Sequence, residues 1–376
     1  MKILFFGLPI VSGNYTHFCY LREGIKNAQF TMMTLGEINT NIHYDPDFIQ
    51  LGKGMDRNKQ QKELVTLLLA YIEENKIDIV IPMNSPLVVS AIPFMPESVQ
   101  VIQIVNSNTE RVYQYILSHF NYVSKFICIS PQQKKAVLSK SNLIVSRLEI
   151  VPHGVVLNEI ISEESNSKTL VIGYLGRLNE GQKKISVILE VLKRIEFPFH
   201  FELIGDGVDG DAFIEALKKN KISFTNFGAL PNAEINNLVL KWDIMIFPSV
   251  VEGFGLTLIE TMNCGVVPIA NLLPGITDYI ITNDHDGFIV KENNINSYLK
   301  ILNNLYNNPK RLMELKHNAR DTVITRFNLT EICYRYQQIF NDVLLFKKPV
   351  ALPFKDWHIY KEYKPSLLNR FVNKLK

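Results

Sequence analysis

The chain of 376 residues is 47% hydrophobic and carries 40 lysine and arginine residues against 37 aspartate and glutamate residues, for a net charge of +3. A chain of this length and apolar content can fill two cores of ordinary domain size. The basic excess is too small to indicate a protein that binds nucleic acid. No apolar run approaches the roughly 18 residues that a membrane span needs. Composition therefore predicts a cytoplasmic protein of two domains.

The four cysteines stand far apart, at positions 19, 128, 264 and 333, and no two form a C-x-x-C pair. This spacing favours free thiols in a reducing compartment over a disulfide framework or a zinc site. No other group of metal-ligating residues has a credible spacing. We therefore expect no metal site.

The first part of the chain alternates short apolar runs with helical stretches, which predicts a parallel sheet with helices on both faces. Strands are expected at Lys2–Leu8, Ile77–Ile81, Val99–Val105 and Lys125–Ser130, and a helix at Lys59–Asn75. The polar stretch at 162–168 has the composition of a linker. We therefore predict a first domain over residues 1–162.

A second alternation of strands and helices begins at Thr169. Its predicted strands end in small or glycine residues, at Leu170–Leu175, Phe199–Ile204, Ile222–Phe227 and Ile244–Phe247. Ligands of open α/β sheets bind beyond the carboxyl ends of the strands. We predict a second domain over residues 169–345, with a ligand site at that edge of its sheet.

The stretch from Pro248 to Pro268 follows a buried strand and leads into a helix. Gly253 and Gly255 break the intervening loop. A strand, a glycine turn and a helix N-terminus form an anion site, because the free backbone N–H groups and the helix dipole point the same way. Glu252 and Glu260 flank that site, which suits a ligand with both phosphate and hydroxyl groups, such as a nucleotide sugar.

Glu252-Gly253-Phe254-Gly255-Leu256 followed by Glu260 resembles the E-x7-E signature of retaining GT-B glycosyltransferases of the family 4 type, the glycosyl transferases group 1. The resemblance implies that Glu252 contacts hydroxyls of the donor sugar and that Glu260 holds the ribose. The intervening loop would bind the nucleotide through Phe254, Gly255, Leu256 and Thr257. The implied fold has two doubly wound, Rossmann-like domains facing across a cleft, with a C-terminal helix that crosses back to the first domain.

Arg177 and Lys183 resemble the family's diphosphate pair in the pattern G-R-L-x-x-x-Q-K. Positive charge at this place would stabilise the negative charge that develops on the departing diphosphate. Lys184 is an alternative to Lys183 as the second residue of the diphosphate pair. Either lysine could instead be a solvent-exposed residue at the start of a helix. The match to Gln182-Lys183 favours Lys183. Gly13, in the loop after the first strand, is a further expected nucleotide contact.

Three positions carry a second interpretation. Thr257 and Glu260 fit a T-x-x-E capping box, which would stabilise the helix without a ligand. Asp284-His285-Asp286 resembles a D-x-D metal motif of another glycosyltransferase fold, but its context matches a family turn. His153, at a position where the family has Asn, is expected to be a loop residue rather than a catalytic base.

The function implied by the resemblance is a metal-independent, hexosyltransferase-like transfer from a UDP- or GDP-linked sugar, with no cofactor. The acceptor would be a glycan or a lipid-linked glycan in cell-surface polysaccharide synthesis. The alternative is a catalytically degenerate GT-B protein that binds a sugar nucleotide and serves a partner subunit. Asn106, which stands where many relatives have a His, favours this alternative, whereas Glu252, Glu260, Arg177 and Lys183 favour catalysis.

The tail, residues 346–376, places Leu367, Phe371 and Leu375 on one helical face among basic residues. Return to the first domain is the simpler interpretation. Contact with an anionic bilayer is the alternative, which would put the protein at the inner face of the membrane.

Overall fold

The structure is a computed structural model that describes residues 1–10, 12–158, 169–292 and 294–357. These residues form two compact units. The N-terminal unit takes Met1–Cys128, Ala136–Glu149 and the described part of Tyr336–Lys376, and the second unit takes Ile129–Lys135 and Ile150–Arg335. We call the second one the nucleotide unit, after the ligand that the sequence resemblance implies. The sequence prediction placed these divisions at 162 and 346 instead. The predicted linker at 162–168 lies outside the described residues.

The N-terminal unit contains a seven-stranded sheet of order β3-β2-β1-β4-β5-β6-β7. Its strands are β1 (Lys2–Phe6), β2 (Gln29–Leu35), β3 (Phe48–Leu51), β4 (Ile79–Ile81), β5 (Gln100–Val105), β6 (Lys125–Cys128) and β7 (Leu148–Ile150). The helices along this part of the chain are α1 (Gly13–Gly24), α2 (Gln61–Glu74), α3 (Pro86–Ala91), α4 (Glu110–Leu117) and α5 (Pro131–Lys140). The sequence prediction had not assigned β2, β3 or β7.

The nucleotide unit contains a six-stranded sheet of order β10-β9-β8-β11-β12-β13, whose neighbouring strands are parallel. Its strands are β8 (Leu170–Leu175), β9 (Phe199–Ile204), β10 (Phe224–Gly228), β11 (Ile244–Phe247), β12 (Val267–Asn271) and β13 (Phe288–Val290). The remaining helices are α6 (Glu180–Lys183), α7 (Ile185–Leu192), α8 (Gly210–Lys219), α9 (Asn232–Val239), α10 (Leu256–Asn263), α11 (Thr277–Ile280), α12 (Ile295–Asn307), α13 (Pro309–Arg326) and α14 (Leu329–Val343).

The central strands of both sheets are short, apolar and buried on both faces. Ile79, Val80 and Ile81 of β4 are fully buried, as are Ile244 and Ile246 of β11. Continuous apolar runs of this kind are expected where helices cover both faces of a parallel sheet. The order of strands in each unit reverses beside its first strand, so the fold is doubly wound in both units.

The tail belongs to the N-terminal unit as far as it is described. Tyr336 packs on His17 with ring centroids 5.3 Å apart, and Phe340 packs on Phe30 at 6.1 Å. Further along, the Leu352 amide donates to the Pro93 carbonyl at 2.8 Å. The amphipathic stretch from 365 to 376 lies outside the described residues. No helix in the described ranges is long and apolar enough to cross a membrane.

Candidate active site

In the nucleotide unit the order of strands reverses between β8 and β11, which are hydrogen-bonded neighbours. Two loops therefore leave the sheet at the same edge. One runs from Gly176 through Arg177 to Lys183, and the other runs from Pro248 to Gly255. Crevices at such a switch point are the usual ligand sites of open α/β sheets.

The loops at this edge are packed too closely for side chains at certain positions. A Cβ added at Gly205, just after β9, would lie 1.9 Å from the carbonyl oxygen of Gly176. Gly205 also has a φ of +138°, which L-residues rarely adopt. The backbone after β9 can therefore approach the backbone after β8 only because residue 205 is a glycine.

Helix α10 begins directly at the predicted anion site. Gly255 is its N-cap, with φ 105° and ψ 52°, in the left-handed region that glycine favours. The N–H groups of Gly255, Leu256 and Thr257 donate no hydrogen bond within the described chain. Three donors and the positive end of the helix dipole are thus available to an anion.

The predicted capping box does not form. Since α10 begins at Leu256, Thr257 lies inside the helix instead of capping it, and no side chain accepts a hydrogen bond at its N-cap. Glu260 makes no hydrogen bond or ion pair within the described part of the chain, and it remains partly exposed. Desolvation raises the pKa of its carboxyl to about 7. An uncompensated carboxylate beside an anion site is costly to the unliganded protein, which is the pattern expected of a ligand-binding group.

Lys183 and Glu252 form a buried ion pair, with Nζ 2.5 Å from Oε1 and each side chain 10% exposed. The Lys183 ammonium also lies over the Phe247 ring, 5.3 Å from its centroid. Lys184 adopts a left-handed conformation and turns to the surface, where its Nζ lies 3.9 Å from Glu180. Of the two candidate lysines, the structure therefore joins Lys183 to the Glu252 loop.

Gln182 connects the two loops, a role that the sequence prediction missed. Its Nε2 donates to the carbonyl of Val251 at 3.0 Å, and its own carbonyl accepts from the Val250 amide at 3.0 Å. Its Oε1 lies 3.4 Å from Nη2 of Arg177, whose side chain is exposed. Gln182 thus positions the Glu252 loop and also contacts Arg177. Of the predicted pair of cations, Arg177 is exposed and Lys183 is buried.

Two further polar residues, one just after β11 and one at the end of β12, were not singled out from the sequence. Asn271 donates from Nδ2 to the carbonyl of Pro248 at 2.7 Å and accepts from the Tyr298 hydroxyl at 2.9 Å. Ser249 is fully buried, and its Oγ has no hydrogen-bond partner in the described chain. A signal for Asn271 existed, because it is a polar residue at the carboxyl end of a buried strand.

His153 packs edge-on against Phe254, with ring centroids 5.4 Å apart, and Phe254 packs in turn on Phe327 at 5.9 Å. Burial lowers the pKa of His153 to about 4. The imidazole is therefore neutral at pH 7, and its position supports the Phe254-Gly255 turn, in agreement with the interpretation of His153 as a loop residue.

The residues of the D-x-D-like motif form a turn. Asp286 is fully buried and accepts from the Thr322 hydroxyl at 2.6 Å and from the Thr282 amide at 2.7 Å. Asp284 pairs with Arg311 at 3.1 Å. The two carboxylates serve different structural contacts, and the described residues contain no group of three or more potential metal-binding side chains.

Gly13 and Asn106 lie in the N-terminal unit, at the carboxyl edge of its sheet. Gly13 is the first residue of α1. Asn106, after β5, donates to Oδ1 of Asn14 at 2.8 Å and accepts from Nδ2 of Asn84 at 2.5 Å. Oδ1 of Asn84 is buried without a partner in the described chain. This row of three amides was missed because its members are distant in sequence.

Comparisons with known proteins agree with this architecture. The crystal structure of Anabaena Alr3699/HepE in complex with UDP superposes with a TM-score of 0.74 at 15% identity, covering 91% of this chain and 100% of that one. The fold is therefore GT-B. Residues 157–322 match the family model of glycosyl transferases group 1.

Curated relatives match at low identity. The Saccharomyces cerevisiae phosphatidylinositol N-acetylglucosaminyltransferase GPI3 subunit is 19% identical over 62% of this chain and 54% of its own length. An Escherichia coli UDP-Gal:alpha-D-GlcNAc-diphosphoundecaprenol alpha-1,3-galactosyltransferase is 22% identical over 60% of this chain and 62% of its own. The match spans little more than half of each relative's length.

Proposed function

We propose that the chain is a retaining, metal-independent glycosyltransferase that moves a hexose from a nucleoside-diphosphate sugar to a glycan or lipid-linked acceptor. The observation that carries the proposal is the buried Lys183–Glu252 pair beside the free N-terminus of α10. One site thereby offers a cation, three backbone donors and two carboxylates, which matches the diphosphate and hydroxyl groups of such a donor.

Each proposed site residue has a task in that reaction. Arg177, Lys183 and the N–H groups of the loop from Phe254 to Thr257 would stabilise charge on the departing diphosphate. Glu252 would accept hydrogen bonds from hydroxyls of the donor sugar, and Glu260 would accept hydrogen bonds from hydroxyls of the ribose. The bond from the anomeric carbon to the diphosphate oxygen breaks, and a bond to the acceptor oxygen forms on the same face. The acceptor proton passes to the leaving diphosphate, so no side chain acts as a covalent nucleophile.

UDP is the favoured nucleotide because the HepE complex contains UDP and the E. coli relative's name specifies UDP-Gal. The names of the curated relatives include phosphatidylinositol and diphosphoundecaprenol, so a lipid-linked acceptor at the inner face of the membrane is part of the proposal. Gly13, at the start of α1, would contribute a backbone contact to the donor.

The second candidate is a non-catalytic GT-B subunit. Asn106 favours it, because it stands where many relatives have a His and its carboxamide is held by Asn14 and Asn84. The name of the GPI3 relative also describes a subunit.

The decisive experiment is a screen of UDP- and GDP-linked sugars for hydrolysis, which needs no acceptor, with and without a chelator. We expect one donor to be hydrolysed equally under both conditions, and Lys183→Ala to lose that activity while Lys184→Ala retains it. Nucleotide binding without hydrolysis or transfer would favour the subunit. Activity lost in chelator and restored by manganese would contradict metal independence.

A further inference from the structure

The Glu252 loop, residues 248–255, is held mainly by side chains of other elements. Three carboxamides each donate to a different backbone carbonyl of this loop, and we call them the carboxamide clamp. They are Gln133 of α5, Gln182 of α6 and Asn271 at the end of β12. All three residues belong to the nucleotide unit.

The carbonyls that the clamp holds are those of Pro248, Val251 and Gly253, at donor–acceptor distances of 2.7, 3.0 and 3.3 Å. A carbonyl oxygen only accepts hydrogen bonds, so the nitrogen of each carboxamide must face it. The loop lies outside helices and strands and has no ladder of backbone hydrogen bonds to satisfy its polar groups. Its conformation therefore depends largely on these three side chains.

Gln133 sets the direction of one backbone donor. Its Nε2 donates to the Gly253 carbonyl and its Oε1 accepts from the Ile129 amide at 2.9 Å, so both ends of this fully buried carboxamide are occupied. Because a trans peptide is planar, the Gly253 carbonyl and the Phe254 N–H point in opposite directions. That N–H donates no hydrogen bond within the described chain. Gln133 thus orients the first of the consecutive available N–H groups at 254–257.

Asn271 is oriented by side chains behind it. Its Oδ1 accepts from the Tyr298 hydroxyl at 2.9 Å, and its backbone carbonyl accepts from the Thr277 hydroxyl at 2.8 Å. All three residues are buried, with exposures of 1% or less. If the carboxamide turned over, its oxygen would face the Pro248 carbonyl, and two buried acceptors would be left in contact. The Tyr298 hydroxyl therefore keeps the donor end of Asn271 on the loop.

The held conformation has a local cost. Ser249 is fully buried, and its Oγ has no hydrogen-bond partner in the described chain. A buried hydroxyl without a partner disfavours a conformation unless the surrounding contacts outweigh it. We therefore expect the loop to leave this conformation more often when a member of the clamp is lost.

We propose that the carboxamide clamp, with Tyr298 behind it, holds the Glu252 loop in its ligand-binding conformation before the nucleotide arrives. This inference rests on the proposed function, because the loop carries Glu252 and the N–H groups assigned to the donor. A loop that is already ordered binds without an ordering cost and keeps its dipoles aimed at the reacting groups. Gln133, Asn271 and Tyr298 are then positioning residues, which act on the donor only through the loop.

The test uses the full chain with three substitutions that each remove one link. Gln133→Glu keeps the acceptor oxygen and loses the donor, Asn271→Asp loses the donor to the loop, and Tyr298→Phe loses only the hydroxyl. The matched control is Asn318→Asp, which removes a carboxamide donor to the His285 carbonyl at 2.8 Å, in the turn before β13. Urea denaturation sets conditions under which every variant is folded.

Hydrogen exchange reports on the loop without any ligand. We expect the Ser249 and Val250 amides to exchange about tenfold faster or more in the three clamp variants than in wild type, because the loop opens more often. Asn318→Asp should leave these rates unchanged. Wild-type exchange in the clamp variants would overturn the proposal, whether or not the protein binds a nucleotide.

UDP affinity and the kcat of donor hydrolysis then show whether the held conformation serves the ligand. Each clamp variant should weaken UDP binding and lower kcat by about tenfold or more, since the loop groups are misplaced, while Asn318→Asp should behave like wild type. Faster exchange with wild-type affinity and kcat would make the clamp purely structural and overturn the positioning role. A wild type that binds no nucleotide would instead refute the proposed function, and the exchange result alone would then decide whether the clamp holds the loop.

Discussion

Nζ of Lys183 lies 2.5 Å from Oε1 of Glu252, although 69 residues separate the two in sequence. The pair joins the loops that follow β8 and β11 at the switch point of the nucleotide unit. In the proposed function both partners also face a substrate, the lysine a phosphate and the glutamate a sugar hydroxyl. When the donor binds, its diphosphate would become a second anionic partner of Lys183. Glu252 could then accept hydrogen bonds from the sugar hydroxyls. The ion pair thus keeps both groups oriented before the donor binds.

Breaking this pair should be costly. Lys183→Ala deprives the buried Glu252 carboxylate of its lysine partner, and we expect a loss of about 3–5 kcal/mol in the free energy of unfolding, measured by urea denaturation. Lys184→Ala, at the half-buried neighbour that only approaches Glu180 at 3.9 Å, should cost no more than about 0.5 kcal/mol. Adding Glu252→Gln to Lys183→Ala should recover part of the loss. Equal costs for the two lysines would contradict the pairing.

Substitutions of the two glutamates should have different effects on UDP binding and on donor hydrolysis. Glu260→Gln removes a charged acceptor of ribose hydroxyls, so UDP affinity by calorimetry should fall by about 1.5–3 kcal/mol. Glu252→Gln should leave UDP affinity nearly unchanged, because UDP lacks the sugar that Glu252 contacts, while donor hydrolysis falls. The assigned roles are wrong if both variants weaken UDP equally.

Nucleotide binding should depend on pH through Glu260. Its pKa of about 7 leaves much of the carboxyl protonated at neutral pH, and hydroxyl donors favour the ionised form. UDP affinity should therefore rise from about pH 6 to about pH 8, with proton release on binding. Glu260→Gln retains only the titration of UDP itself, so a pH profile unchanged by this substitution would refute the assignment.

Folding stability should show the opposite trend in the unliganded protein. The folded-state pKa of Glu260 lies above its ordinary 4.5, so the folded protein binds the proton more tightly than the unfolded chain. The contribution of Glu260 to the free energy of unfolding is then present below about pH 4.5 and is lost as pH rises to about 7. Urea denaturation of Glu260→Gln should lack this loss, and a parallel pH dependence in both proteins would contradict the raised pKa.

Arg177 should contribute to nucleotide binding without supporting the fold. Its side chain is exposed, so Arg177→Ala should leave the melting temperature without ligand almost unchanged. The increase in melting temperature caused by UDP or GDP should shrink, since a charge-assisted contact to phosphate is lost. Arg194→Ala, an exposed arginine paired with Glu190 on α7, is the matched control. A response to nucleotide that both variants retain in full would place the phosphates elsewhere.

Sequence reasoning located four of the six strands of the nucleotide unit, β8 to β11, because each is an apolar run ended by a small residue or a break, as at Gly176 and Gly205, but it did not assign β12 or β13. It could not assign β2, since Gln29–Leu35 mixes Met and Thr without a run of Val or Ile. The start of α10 was also misjudged by the capping pattern, because the left-handed Gly255 sets it. The contacts of Asn106 with Asn14 and Asn84 depend on tertiary structure and leave no local signal.

The N-terminal unit is assembled from three separate stretches of chain, the last beginning at Tyr336. During synthesis the nucleotide unit is complete once Arg335 has left the ribosome, whereas the core around Phe30 must wait for Phe340 to arrive. The first unit to be started is thus the last to be finished, and its apolar face stays uncovered in the nascent chain. A chain that stopped just after Arg335 would carry one finished unit and one open, aggregation-prone one, and an earlier stop would leave both unfinished. Such truncations should therefore produce insoluble protein rather than a half-active fragment.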